Sequence, residues 1–545
     1  MAVHPRVSLL TATAVAIAVL AAVPVASVGF NLFAGGTSAT WAHLAQTVLA
    51  DYVQNSLLLC LGVGLGVAIF GVATAWLTAM HEFPGRRFFE WALVLPLAMP
   101  AYVMAYVYTD FLQFVGPVQT ALRETFGWSH GDYWFPDIRT LPGAVLMFVC
   151  VLYPYVYLLA RNAFIERAGG MLEAARTLGL GPWRAFFTVS LPLARPAVAT
   201  GVALALMETL ADYGTVAYFA VNTFTTGIYR AWFSLGDRIA SAQLAAMLLG
   251  FVLLLVVGER LSRGRARYHN TTGRHRPHPG ARLGGGAAFL AFGACILPLG
   301  LGFLLPAGLL LKMALTEGDA QFGTRFLLLS RNSFVLAGVT AFIAVGFSLL
   351  LAYSARQSRT LLTRGLNRLV GMGYAVPGAV IAVGVLIPVT RLDNWLAAQW
   401  QAWLGTNPGL LLTGGIAALV YAYLVRFLAV ALQTVGASLA KITPAMDDAS
   451  RSLGAGQGET LRRVHVPILR GSLFTAGLLV FVDVMKELPA TLVMRPFNFD
   501  TLATQAYTLA SDERLAEAST AALAIVGVGL LPLIALSRQI SRSRK

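Results

Sequence analysis

The sequence predicts an all-α polytopic membrane protein of about 12 transmembrane helices, arranged as two parallel modules of six. Three observations carry this. The chain of 545 residues is 57% hydrophobic and only 12% charged, against roughly 25% charged in soluble domains, and its mean hydropathy is +0.69. Twelve apolar runs reach the roughly 20 residues that a bilayer-crossing helix requires. The second six runs repeat landmarks of the first six at a nearly constant offset.

The runs lie near 8–30, 55–79, 90–113, 142–164, 196–221 and 241–261, then near 285–311, 332–355, 367–391, 411–434, 471–493 and 519–537. The first follows Arg6 and ends in small residues, as a signal peptide does. A retained helix is the better expectation, because the run near 285–311 holds the matching place in the second half. The two halves are read as 1–261 and 285–545, joined by a basic linker over 262–284 that is rich in Gly and Pro. The linker histidines His269, His275 and His278 have no Cys or carboxylate beside them, so a solvated connector is expected rather than a metal tract.

Repeats fix the topology. Asn55-Ser56 and Asn332-Ser333 each open an apolar run, and Pro100 and Pro377 each precede one. A six-run repeat preserves direction, which implies a pseudo-twofold axis along the membrane normal. With the N-terminus inside, the seven inner segments hold 27 of the 40 Lys and Arg residues and the six outer segments hold 8. That asymmetry satisfies the positive-inside rule and accounts for the net charge of +15 without invoking nucleic acid. Both chain ends are then cytoplasmic.

Two polar islands fall on the inner side, within 171–192 and 446–467. The first reads EAARTLGLGPWRAFFTVSLP from Glu173, and the second DASRSLGAGQGETLRRVHVP from Asp448. Glu173, Gly179 and Pro192 reappear as Asp448, Gly454 and Pro467, with Ala174 matched by Ala449. Each island predicts a short surface helix broken at a Gly that allows a sharp turn or close approach. Each Pro is expected at the start of the next membrane helix. Such a helix suits a groove in a soluble partner.

Four acids lie inside apolar runs: Glu208 and Asp212, and Asp483 and Glu487. Read as helical, each pair is i,i+4 on one face, with Glu208 about 18 Å deep at 1.5 Å per residue. Charge near the bilayer centre costs roughly 2.5–3.5 kcal/mol on insertion scales, so these acids should face the bundle interior. They are candidates for a polar translocation path, with structural pairing, for example to Lys486, as the alternative. No catalytic set is evident, and no metal cluster of His, Cys or carboxylates. Cys60, Cys150 and Cys295 are isolated in apolar runs. None of Lys312, Lys441, Lys486 and Lys545 precedes Ser or Thr, so no nucleotide-binding loop is present.

The run E-A-A at Glu173, Ala174 and Ala175, then Gly179, then a long gap to Leu191-Pro192, resembles the signature loop of ABC importer permeases. The second copy departs from it, with Asp448 for Glu and Ser450 for the second Ala. The resemblance covers the whole chain as two fused permease modules. It implies that these loops dock into two copies of an ABC ATPase that uses ATP, that a periplasmic solute-binding protein delivers the solute, and that this chain resides in the bacterial inner membrane, binds no cofactor and is not itself an enzyme. Leu210 to Asp237 and Met485 to Tyr507 are similar to the fused iron(III) permeases, which implies ferric iron as solute. Permeases for thiamine or an oxyanion, and an ion-coupled secondary transporter, are the alternatives.

Overall fold

The computed structural model describes residues 9–129, 131–263, 281–316, 323–358 and 360–542. The reading of 264–280 within the linker therefore lies outside the described residues, as do the side chains of Glu173 and Ala174. Eleven helices among the described residues are long and apolar enough to cross a membrane. The twelfth expected span, near 90–113, is a broken pair, Arg86–Ala98 and Ala101–Phe126, bent by 91°. Proline causes the break. Pro100 has no N–H and biases the residue before it away from helical geometry, and Met99 is extended at φ −90, ψ 116. In the second half Val376 is likewise extended before Pro377, which stands at the N-cap of Gly378–Leu404.

The chain packs into two compact units that do not coincide with the sequence halves. One comprises 1–43, 227–249 and 322–505, and the other 44–226, 250–321 and 506–545. In the first of these, Leu9–Asn31 packs against Gly378–Leu404 so closely that a Cβ at Gly384 would stand 2.4 Å from the Pro24 carbonyl oxygen. Tyr421 adds a hydrogen bond to the Leu20 carbonyl at 2.6 Å. This unit thus holds most of the second half together with the first helix of the chain.

The other unit shows the reciprocal arrangement. Gly302, near the start of the second half, lies so near the Cys150 carbonyl that a Cβ would meet it at 2.4 Å, and Tyr108 donates to Leu301 O at 2.6 Å. The end of the linker is tied down here. His81–Glu82 and Ala281–Arg282 form a two-residue parallel ladder, and Leu283 N donates to Glu82 O at 3.0 Å.

One irregularity repeats in each unit. Phe186–Ser190 and Leu461–His465 are π-helical turns. They precede Pro192 and Pro467 inside continuous spans, Trp183–Ala211 and Gln457–Met485. Each proline is the second residue of the α-helix that follows its π turn, Leu191–Ala211 and Val466–Met485. The locally widened turn accommodates a residue with no N–H to donate.

Candidate functional site: two polar loops and two broken membrane helices

The first polar loop begins where Leu141–Thr177 ends, and the second follows the separate helix Pro444–Ser452. Pro444 accounts for the separation, since Thr443 before it is extended at φ −66, ψ 145. Both helices end on the same device. Gly179 has φ +81 and Gly454 φ +82. Leu180 N donates to Ala175 O, and Ala455 N to Ser450 O, each at 3.1 Å. This is the left-handed glycine cap that closes a helix and satisfies its last carbonyls. A Cβ at either glycine would meet nothing within 4 Å. The requirement is thus the backbone angle, not close approach.

That distinction has a test. Gly454→Val is expected to destabilise the turn by about 1–2 kcal/mol, the usual cost of left-handed geometry for an L-residue. Gly454→Asn, which tolerates that region, retains most of the stability. Hydrogen exchange over 444–461 measures the difference, and the same order should hold at Gly179. Equal effects of Val and Asn would refute the backbone argument.

At both tips apolar side chains face outward. Leu178 is 82% exposed, its repeat counterpart Leu453 87%, and Trp183 74%. The sequence reading passed over these leucines; their signal is that a leucine precedes the glycine in both polar loops.

The two loops are anchored by different chemistry. Ala175 packs with Met80 and Ala185, flanked by Trp76, Ala79, Leu180 and Val189. The second loop is held by Asp447, the neighbour of the residue singled out in the sequence. Asp447 accepts from Arg356 Nε at 2.8 Å and lies 2.6 Å from His465 Nε2. Arg356 also donates to the carbonyls of Leu439, Ile442 and Thr443 at 2.9, 3.0 and 3.2 Å. Burial opposes the Asp447 charge, but the hydrogen bonds from Arg356 and His465 outweigh it and hold the carboxyl below its ordinary range. Asp448 and Ala449 are exposed, and Asp448 pairs only with Arg451 at 2.5 Å. Exposed pairs of that kind contribute little.

The four membrane acids are placed differently from the expectation. Leu191–Ala211 ends before Asp212, and Val466–Met485 ends before Lys486. Glu208 and Asp483 lie in the last turns, while Asp212 and Glu487 lie beyond the helix ends. The pairs are therefore not i,i+4 neighbours on one helical face. Each second acid instead caps a short helix. Asp212 Oδ1 accepts from Thr215 N at 2.8 Å, at the start of Gly214–Tyr218. Glu487 accepts from Ala490 N at 2.8 Å, from Thr491 N at 3.1 Å and from Thr491 Oγ1 at 2.7 Å, opening Pro489–Met494. Their environments differ. Arg426 stands 3.9 Å from buried Glu487, and Lys486 3.0 Å from Asp483. Among the described residues no Lys or Arg forms an ion pair with Asp212.

Paired polar loops on a repeated helical membrane scaffold fit a transport permease. The chain belongs to the family of binding-protein-dependent transport system inner membrane components, the permeases of ABC importers, whose family model matches residues 67–267. It is 27% identical over 496 residues to the Fe(3+)-transport system permease protein FbpB 2 of Haemophilus influenzae, covering 90% of each chain. It is 31% identical over 193 residues to the molybdenum transport system permease protein ModB of the same organism, covering 35% of this chain and 80% of that one. A further relative, the putative ferric transport system permease protein FbpB 1 of Haemophilus influenzae, is 23% identical over 481 residues, 83% of this chain and 71% of that one.

Proposed function

We propose that this chain is the permease of a ferric iron importer, receiving the ion from a periplasmic binding protein and driven by two copies of a separate ATPase. The observation that carries the solute is coverage: the match to an Fe(3+)-transport permease runs over 90% of both chains and includes both modules. The charge asymmetry supports cytoplasmic termini and cytoplasmic coupling loops. The exposed Leu178, Trp183 and Leu453 supply apolar contacts at the two tips, where nucleotide-driven closure of the ATPases grips and moves the helices behind them. ATP is hydrolysed by those partners, and this chain binds no cofactor.

An oxyanion is the second reading, favoured by the higher identity to a molybdenum permease. That match covers 35% of this chain, the extent of one module. Competition uptake in vesicles carrying the whole transporter decides. Ferric iron is expected to compete with labelled iron in an ATP-dependent way, while molybdate and thiamine do not. Uptake of molybdate with no uptake of iron refutes the solute, and uptake without ATP refutes the mechanism.

A further inference from the structure

Beside Asp212 the structure gathers tyrosines in one cluster, apart from the two polar loops. Tyr102 and Tyr106 lie one turn apart on Ala101–Leu112, with ring centres 5.8 Å apart. Tyr218, the last residue of the helix that Asp212 caps, meets the Tyr106 ring edge-on at 4.6 Å. Tyr507 stands 6.5 Å from Tyr106 and 5.9 Å from Tyr213. Asp212 directly precedes Tyr213 and caps the short helix that ends on Tyr218. All these residues belong to one compact unit.

Three features mark the cluster as a binding site. Tyr106 is 2% exposed, and its hydroxyl has no hydrogen-bond partner among the described residues. A buried polar group left unpaired is costly, so this hydroxyl gains by meeting a ligand. Asp212, Tyr213, Tyr218 and Tyr507 are half-buried, which gives the dry wall an accessible mouth. Arg139 reaches the Tyr218 hydroxyl only from the exposed side, at 3.4 Å. Finally, the internal repeat departs from itself at these positions. The counterparts of Tyr102, Tyr106, Tyr213 and Tyr218 in the second half are Ala379, Val383, Leu488 and Val493. The phenols are thus particular to one half and are not part of what the repeat shares.

We propose that Asp212 and the phenols of Tyr106, Tyr218 and Tyr507 form a transit site for a hard, highly charged cation, which is ferric iron on the functional reading above, on which this inference rests. Hard cations take oxygen donors at about 2–2.6 Å. Rings 4.6–6.5 Å apart can bring their oxygens to one ion by side-chain rotation. A phenol that becomes a ligand releases its proton to water, and the Asp212 carboxyl, with no ion pair to Lys or Arg among the described residues, supplies a further oxygen donor. Glu487 is committed to Arg426 and its cap and does not serve in this way.

The test uses the full chain, solubilised with its ATPase subunits, and ferric nitrilotriacetate as probe. Wild type is expected to develop a visible phenolate-to-iron charge-transfer band that Tyr106→Phe and Tyr218→Phe each weaken. Asp212→Asn should lower apparent iron affinity about tenfold or more, while its amide oxygen still accepts from Thr215 N and preserves the fold. A second arm measures iron and molybdate uptake in proteoliposomes. Iron uptake by wild type with no band, or an Asp212→Asn protein that inserts and binds iron like wild type, overturns the site and leaves the iron reading standing. Molybdate uptake without iron uptake overturns the reading itself.

Discussion

Glu487→Ala is expected to destabilise its unit by about 3–5 kcal/mol, the range measured when one partner of a buried ion pair is removed. Its side chain is 3% exposed and that of Arg426 8%. Truncation removes the carboxylate that faces the Arg426 guanidinium, and it leaves Ala490 N and Thr491 N without the acceptor that opens Pro489–Met494. The surroundings leave little room for relaxation: a Cβ on Gly378 would stand 2.7 Å from Glu487 Oε1 and 3.1 Å from Arg426 Nη1. Thermal unfolding in detergent reads the loss. Glu487→Gln keeps the shape and an acceptor, so it should cost clearly less. Adding Arg426→Met to Glu487→Gln should cost less than the two changes summed, because no unpaired charge then remains. If Glu487→Ala melts within about 1 kcal/mol of wild type, the carboxylate does not organise this break.

Much of this architecture was legible because its physics is local or periodic. Apolar runs of membrane length mark the helices, and Pro100 and Pro377 mark interruptions whose geometry follows from the missing N–H. Gly179 and Gly454 share a left-handed angle that few other residues adopt, which is why the same residue type occurs in both copies. What the sequence hid was tertiary. An apolar helix does not state which neighbour it will choose, so the grouping of Leu9–Asn31 with the second-half helices could not be read. The helix ends at Asp212 and Lys486 were masked by apolar residues that continue beyond them. Asp447 was overshadowed by Asp448, which fits the repeated spacing but is exposed, whereas the partners of Asp447 come from distant segments. The tyrosine cluster, too, collects residues from separated stretches, and only the comparison of Tyr106 with Val383 hints at it.

Arg356→Ala should free the second polar loop while leaving the first one closed. The Arg356 side chain is 13% exposed and that of Asp447 12%, with the two groups 2.7 Å apart. Removing the guanidinium takes the donor from the Ile442 carbonyl and from one face of Asp447, and a second donor from the carbonyls of Leu439 and Thr443, which keep Ile442 N and Met446 N. A loss of about 3 kcal/mol follows from the buried pair. Hydrogen exchange over 444–461 is the measurement, and Arg356→Lys should restore only part of the protection, because one ammonium cannot span three carbonyls and a carboxylate. Acid gives an independent readout. The Asp447 carboxyl titrates lower in the folded protein than in the unfolded chain, so its contribution is fully present above the unfolded value near pH 4 and is lost as pH falls through the folded value. Protection over 444–461 is therefore expected to hold at pH 7 and to drop in strong acid, with a flatter profile in Arg356→Ala. Among the described residues the first loop is closed by the apolar cluster of Met80, Ala175 and Ala185, and it should show no acid step over 175–185. Wild-type exchange at pH 7 in Arg356→Ala, or matching acid steps in both loops, would contradict the unequal anchoring.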